Sequence, residues 1–568
     1  IATPNLSHAA AGWNWYAMPL VTSTSLAAGV YPGGEGCQRP QAVAVDPVDA
    51  QTVLYGTDVG GLFRSTDGGA NFSPSNTGLE ATGVLGLAFD PMNRDRVLLA
   101  ADGGDSYNQF AGVYLSTNRG ASWARKYSRA LNAVVTGSRQ NGRDQFAFAK
   151  GSYDAGFGHC RTVYWVSEDD ITPTTYGGST LANPGGALYK SLDGGETWAR
   201  VAVASLYEGA NDADSRIAVH PTSGFVYITN KNGFFRSDDG GVSFAKILTG
   251  NFKACEIVTT PGYADYVWIA SSTQLLRSLD GGLSFTPITF TGIAGFARLE
   301  VSAADPQRMI ASNGSYSRFR SADGGATWTA SAESSANSWV MTHNFADADR
   351  RCHAAFHPTN ANIVFGLGKG DQIMKSTDGG ANFAWSSNGI NGLMIGSSFN
   401  FNTQNPDLVY VGSQDYNGAY TTNGGASWSF LNLDGSDAWG WVYGAYAKDS
   451  QVMFGGNRPY GSSTYSLVIT FNGGASRSTK VSPLSGIKVS YGDPTDANIL
   501  FCWNQRSIDG GVNWSLMPDC DGVFIHHPGT NALYGADGTA VKRSTTKGAS
   551  WTTVATMTAG VSDVAPHP

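Results

Sequence analysis

Charge is scarce in this chain: only 14% of its 568 residues are Asp, Glu, Lys or Arg, and they sum to −8 at pH 7. No Lys/Arg run is present to neutralise phosphates, which argues against a nucleic acid or an anionic membrane surface as partner. Long apolar runs are missing as well. None approaches the roughly 20 residues that span a bilayer, so a soluble protein is expected. The stretch from Ile1 has neither a basic segment nor an apolar one. That suits a mature secreted chain, extracellular or periplasmic, whose signal has been removed. Cysteine is sparse, and the six present (Cys37, Cys160, Cys255, Cys352, Cys502, Cys520) show no C-x-x-C spacing. Zinc and redox motifs are therefore not indicated. Cys502 and Cys520 flank one turn and are read either as a disulfide of an oxidising compartment or as buried free thiols.

Glycine (72 residues) and aromatics (12%) are abundant. Glycine serves tight turns and aromatic or β-branched side chains fill pleated faces, so the composition points to turn-rich β structure. A search for internal repeats gives the architecture, because self-similarity at about 40 to 50 residues marks propellers and solenoids. The pattern Ser/Thr-x-Asp/Asn-Gly-Gly-x-x-Trp/Phe occurs at Ser65–Phe72, Ser191–Trp198, Ser237–Phe244, Ser278–Phe285, Ser321–Trp328, Ser376–Phe383, Thr421–Trp428 and Ser507–Trp514. Degenerate copies stand at Ser116–Trp123, Thr470–Arg477 and Ser544–Trp551. Strand-like runs precede and follow each copy, and several units begin with a strand ending in a proline turn, as at Asp46-Pro47, Asp90-Pro91, His220-Pro221 and His357-Pro358. Four strands per unit is the content of a propeller blade.

The eight-residue pattern resembles the Asp box of sialidases, sortilin-type receptors and glycoside hydrolases. Its physical logic is a hairpin turn in which the Asp carboxylate accepts backbone N–H bonds, the glycines take positive φ and the aromatic plugs the blade. Asp67, Asp193, Asp239, Asp280, Asp323, Asp378 and Asp509 are therefore read as structural. Seven copies lie before residue 387 and four after it. The expected fold is all-β, with tandem propellers of four-stranded Asp-box blades. The first (1–387) is seven-bladed, with the segment 12–16 a candidate closing strand. The second (388–568) is seven-bladed or incomplete within this sequence.

Two stretches carry candidate chemistry. Tyr55-Gly56-Thr57-Asp58-Val59-Gly60-Gly61-Leu62-Phe63-Arg64 runs into the first box, and Gly412-Ser413-Gln414-Asp415-Tyr416-Asn417-Gly418-Ala419-Tyr420 runs into the eighth. Set side by side with Thr57-Asp58 matched to Gln414-Asp415, each half offers one carboxylate near the start. Paired carboxylates are what glycosidic cleavage usually requires. The bland reading of each is a turn residue accepting N–H bonds from its neighbours.

The first stretch resembles the motif near the start of glycoside hydrolase family 74, the tandem-propeller xyloglucanases, and Gly33-Gly34-Glu35-Gly36 and Ala101-Asp102-Gly103-Gly104-Asp105-Ser106-Tyr107 are similar to that family's early blades. The resemblance implies hydrolysis of a β-glycosidic bond with inversion, Asp58 acting as general base and Asp415 as general acid. The context around Asp415 matches the family's Gly-Asp-x-x-Gly-Phe only partly. Sugar faces pack on aromatic rings while polar groups bind hydroxyls, so Tyr107, Trp339, Tyr416, Trp439, Trp441, Arg458 and Tyr460 are expected to bind a polysaccharide or oligosaccharide substrate. No cofactor or metal is required, and the protein is expected to be a monomer. Two alternatives stand beside this. One is a polysaccharide lyase using His159, His343, Arg350 and Arg351 on an acidic polymer. The other is a non-catalytic propeller that binds carbohydrate or protein.

Overall fold

The computed structural model describes residues 40–57, 60–79, 83–102, 111–128, 145–167, 175–176, 179–180, 187–201, 206, 215–260, 262–313, 317–334, 354–367, 373–387, 401–402, 404–413, 417–424, 429–431, 433, 440–459, 462–485, 489–527, 530–561 and 564. The first sheet shows how the sequence builds a blade. Strands β1 (Pro40–Val45), β2 (Val53–Thr57), β3 (Leu62–Ser65) and β4 (Ser73–Pro74) pair antiparallel in chain order. Every residue of β2 is buried. Its side chains alternate between two neighbours: Val53 and Tyr55 pack with Phe365, Leu367 and Ile373, whereas Leu54 packs with Val84, Val97 and Leu99. A strand covered on both faces reads as an unbroken apolar run. The next blade obeys the same rule, with Leu99 and Ala101 turned back toward Leu54 and with Leu98 and Ala100 turned on toward Phe146, Val163 and Trp165.

Four-stranded sheets follow over residues 83–128, 145–201, 216–248, 252–287 and 298–330. A seventh comprises Ala354–His357, Asn360–Leu367, Ile373–Ser376 and Asn382–Trp385, and Ala332–Ser334 adds to it in parallel. The first strand of each sheet touches the first strand of the next, and Ala354–His357 returns to β1. The seven sheets form a closed ring, as the count of boxes implied. The Lys375 ammonium donates to the Gly68 carbonyl at 2.6 Å and the Ser386 hydroxyl to the Gly69 carbonyl at 2.6 Å, so blade 7 grips the Asp-box turn of blade 1. All four strands of blade 1 and of blade 7 come from 40–74 and 354–385, and the segment 12–16 lies outside the described residues. Beyond the ring, sheets at 409–430 (three described strands), 440–484, 490–516 and 522–556 follow in chain order, with Val409–Ser413 touching Gly440–Ala447, Gly440–Ala447 touching Ser490–Gly492, and Leu500–Cys502 touching Gly522–His526.

The box turns behave as their chemistry demands. Ser65 Oγ donates to Asp67 Oδ1 at 2.8 Å and accepts from the Gly69 N–H at 2.9 Å, while Asp67 accepts the backbone and side-chain N–H groups of Asn71 at 2.9 and 2.8 Å. Thr197 and Ser243 replace Asn71 with hydroxyls in later blades. The degenerate copies keep the turn. Asn118 Oδ1 accepts the Ser122 N–H at 2.9 Å, and Thr546 Oγ1 accepts the Ser550 N–H at 2.9 Å. Bonds from the Ser243 and Ser284 hydroxyls hold the Asp239 and Asp280 carboxyls well below the usual range. Cys502 and Cys520 are free and buried, so the disulfide reading is replaced by the thiol one, and burial pushes each thiol up to about 12. Among the described residues no helix is long and apolar enough to cross a membrane.

Candidate functional site

Antiparallel pairing puts successive turns of a blade at opposite rims. The β1–β2 turn and the box turn between β3 and β4 share one rim, and the β2–β3 turn stands at the other. The two turns are separated by the length of β3, four residues or roughly 13 Å. Asp67 belongs to the box rim. Asp58 itself lies outside the described residues, but the base of its turn is well defined. The Thr57 N–H and hydroxyl donate to the Gly61 carbonyl at 3.0 and 2.9 Å, and Asn76 Oδ1 accepts the Leu62 N–H at 2.8 Å. Gly61 has φ +79°, and a Cβ there would stand 2.5 Å from Asn76 Oδ1, so the position requires glycine. Thr57 is fully buried. Thr57 and Asn76 are thus positioning residues for the turn. Neither was legible in advance, because Asn76 is fourteen residues from the N–H it serves.

The corresponding hairpin opens the second set of sheets. Ser413 pairs with Asn417 and Gly412 with Gly418, while Phe401 bridges to Val409 as the preceding strand would. Three residues lie between the paired ends in each hairpin, 58–60 after Thr57 and 414–416 after Ser413. Both candidate acids therefore belong to the turn between the second and third strands of the first sheet in each half. By count they are one step out of phase. The ladders and the boxes agree that Thr57 corresponds to Ser413 and Ser65 to Thr421, which sets Gln414 against Asp58 and Asp415 against Val59. The match of Thr57-Asp58 with Gln414-Asp415 is corrected accordingly.

Of the remaining expected residues, only Arg458 has a described side chain. It extends from the strand Met453–Pro459, donates from Nε to the Ser462 carbonyl at 2.6 Å and from Nη1 to the Tyr465 hydroxyl at 3.3 Å, and lies over the Tyr465 ring. Trp441 pairs with Arg458 along the ladder, but its side chain is outside the description. Tyr107, Trp339, Asp415, Tyr416, Trp439 and Tyr460 also lie outside the described residues, as do His343, Arg350 and Arg351. His159, the fourth member of the lyase set, is half-buried in the short strand His159–Cys160, with Nδ1 3.0 Å from the Cys160 carbonyl and packed on the box turn at Gly194. It thus sits at the box rim, opposite the β2–β3 turns. Trp165 and Trp268 are fully buried core residues. Among the described residues no group of three or more His, Cys, Asp or Glu is arranged to hold a metal ion.

No family profile matches the chain. A xyloglucanase from a Paenibacillus species is 27% identical over 218 residues, which covers 35% of this chain and 20% of that enzyme. The chain thus spans about a fifth of the length of that curated relative. Solved structures align over far more of it. The glycoside hydrolase family 74 enzyme of Niastella koreensis superimposes with a TM-score of 0.55 at 17% identity, over 92% of this chain and 86% of that one. An ancestral glycoside hydrolase family 74 enzyme superimposes with a TM-score of 0.59 at 14% identity, over 92% and 77% of the two chains. The fold is therefore all-β and similar to that of the family 74 tandem propellers.

Proposed function

We propose that the protein is a secreted glycoside hydrolase that cleaves a β-linked polysaccharide, with a xyloglucan-like β-1,4-glucan backbone as first choice. The reading places the reaction in a cleft between one propeller at 1–387 and a second at 388–568. Asp58 takes a proton from water as general base, and Asp415 protonates the departing glycosidic oxygen. Carboxyl groups about 6.5 to 9.5 Å apart leave room for that water and invert the anomeric centre. Trp339, Trp439 and Trp441 are assigned as platforms for sugar rings, with Tyr107, Tyr416 and Tyr460 beside them. Arg458 is assigned to orient the loop that follows it.

The observation that carries this reading is the repeated hairpin: a three-residue turn containing an Asp at the same strand junction in the first sheet of each half, within a fold similar to family 74 enzymes. The test is to incubate the protein with xyloglucan, β-glucans and acidic polysaccharides, following reducing ends and the ultraviolet absorbance of unsaturated products. New reducing ends without absorbance are expected. Asp58→Asn and Asp415→Asn should each lower kcat by about 10²–10⁴-fold, the usual span for a lost general acid or base. Gln414→Ala should lower it by less than about tenfold. Full activity in Asp415→Asn would remove that residue from the mechanism. Absorbance growth would replace hydrolysis with elimination, and silence on every substrate would favour a binding propeller.

A further inference from the structure

The axis of the seven-bladed ring holds a second cluster of charge that the proposed hydrolysis does not use. Five consecutive blades contribute to a cavity of about 50 Å³, lined by Gln145, Arg216, Lys253, Glu256, Arg298 and Glu300, with Ala354 adding only a methyl group. Each comes from the first, axial strand of its blade. Arg298 and Glu300 share a face because strand side chains alternate. Lys253 and Glu256 have unlike parity, and both reach the cavity because the ladder shifts register between Phe252 and Ala254. Arg216 is 5% exposed; its Nη1 donates to the Ser215 carbonyl at 2.8 Å, and its buried Nη2 has no partner among the described residues. A buried guanidinium N–H left unpaired is costly, which marks a place where an acceptor belongs.

We propose that this cavity binds one small monovalent anion, chloride or one of its size, with the Arg216 guanidinium as its principal ligand. Three cationic side chains outnumber two carboxylates around it. The volume suits one small ion, given that a water molecule's share of the liquid is about 30 Å³. The carboxylates do not oppose the anion at neutral pH. Removal from bulk water pushes Glu256 up to about 8, and Glu300, which also feels Glu256, is raised as well. In its protonated form each can donate a hydrogen bond. Above about pH 8 Glu256 ionises and repels the ion.

The test uses the full chain in a halide-free gluconate buffer at constant ionic strength, with chloride titrated and thermal unfolding followed. A saturable rise in Tm is expected at pH 6.5 and is lost at pH 9. Arg216→Met should weaken the apparent affinity at least tenfold, and Glu256→Gln, which removes the carboxylate that repels the ion, should retain chloride binding at pH 9. A bromide-soaked crystal of the wild-type protein supplies a measurement independent of how well any variant folds, with an anomalous peak expected beside Arg216. Absence of that peak, an unchanged chloride response in Arg216→Met, or stabilisation by calcium or magnesium instead of halides would each overturn the proposal.

Discussion

Glu256 and Asp378 illustrate how single carboxyls shape the response of this protein to pH in opposite directions. The Glu256 pKa is raised in the folded ring by desolvation, to about 8. The stability it contributes is therefore fully present below its unfolded value near 4.3 and is lost as pH rises through about 8. Asp378 feels burial that would raise its pKa, but bonds from Asn382 and Ser376 outweigh it and bring the carboxyl down to about 2. Its contribution is present above about 3.9 and lost as pH falls through about 2. The midpoint of urea unfolding should therefore decline from pH 5 to pH 8, and Glu256→Gln should flatten that decline. A wild-type midpoint that does not change over this range would remove the buried-acid account. The charged axial residues were visible in the sequence as Arg216, Glu256, Arg298 and Glu300 within otherwise apolar strands. Their convergence was not, because residues 216 and 300 meet only when separate blades are arranged about one axis.

Among elements, the Asp-box turn does two jobs, and only the first is local. Within a blade the Ser and Asp side chains close the turn. Between blades the turn is a docking site, since its glycines press on the preceding blade and its carbonyls accept that blade's cations. Arg96 donates to Gly194, Lys190 to Gly240 and Arg236 to Gly281 in the same way that Lys375 donates to Gly68. Gly380 has φ +85°, and a Cβ there would stand 2.2 Å from Ile310 Cδ1 of blade 6. Gly380→Ala should destabilise the ring by about 1–3 kcal/mol, combining positive-φ strain with overpacking, as read by denaturant unfolding. A change below about 0.3 kcal/mol would show that the contact is dispensable. Lys375→Met combined with Ser386→Ala severs the bonds that join the last blade to the first. Faster amide exchange is expected in β2 and in Asn360–Leu367 together, because the two strands share a core. Exchange confined to one of them would argue against a common closure.

For the whole molecule, a single chain of 59.8 kDa is expected in light scattering, whatever its concentration in the micromolar range. A mass that doubles on dilution-reversible association would assign a partner copy to the fold. The sequence determined the repeat, the all-β class and the seven-bladed ring, because each rests on local chemistry written out many times: a Ser-Asp turn, positive-φ glycines, an apolar second strand covered on both faces. It also placed Asp58 and Asp415 in like hairpins, since both lie just ahead of a box. Only the tertiary structure decided the rest. Register through the ladders separated the two acids by one step, a shift that motif matching overlooks because it aligns Asp with Asp, whereas the two turns are equally long and carry the acid at the first position in one and the second in the other. It left Cys502 and Cys520 as buried thiols, packed Trp165 and Trp268 into the core, and set His159 against a box turn away from the opposite rim. Closure of the ring placed Arg216 beside acids forty and eighty-four residues away, and that proximity depends on the angle between blades, which no stretch of sequence specifies by itself.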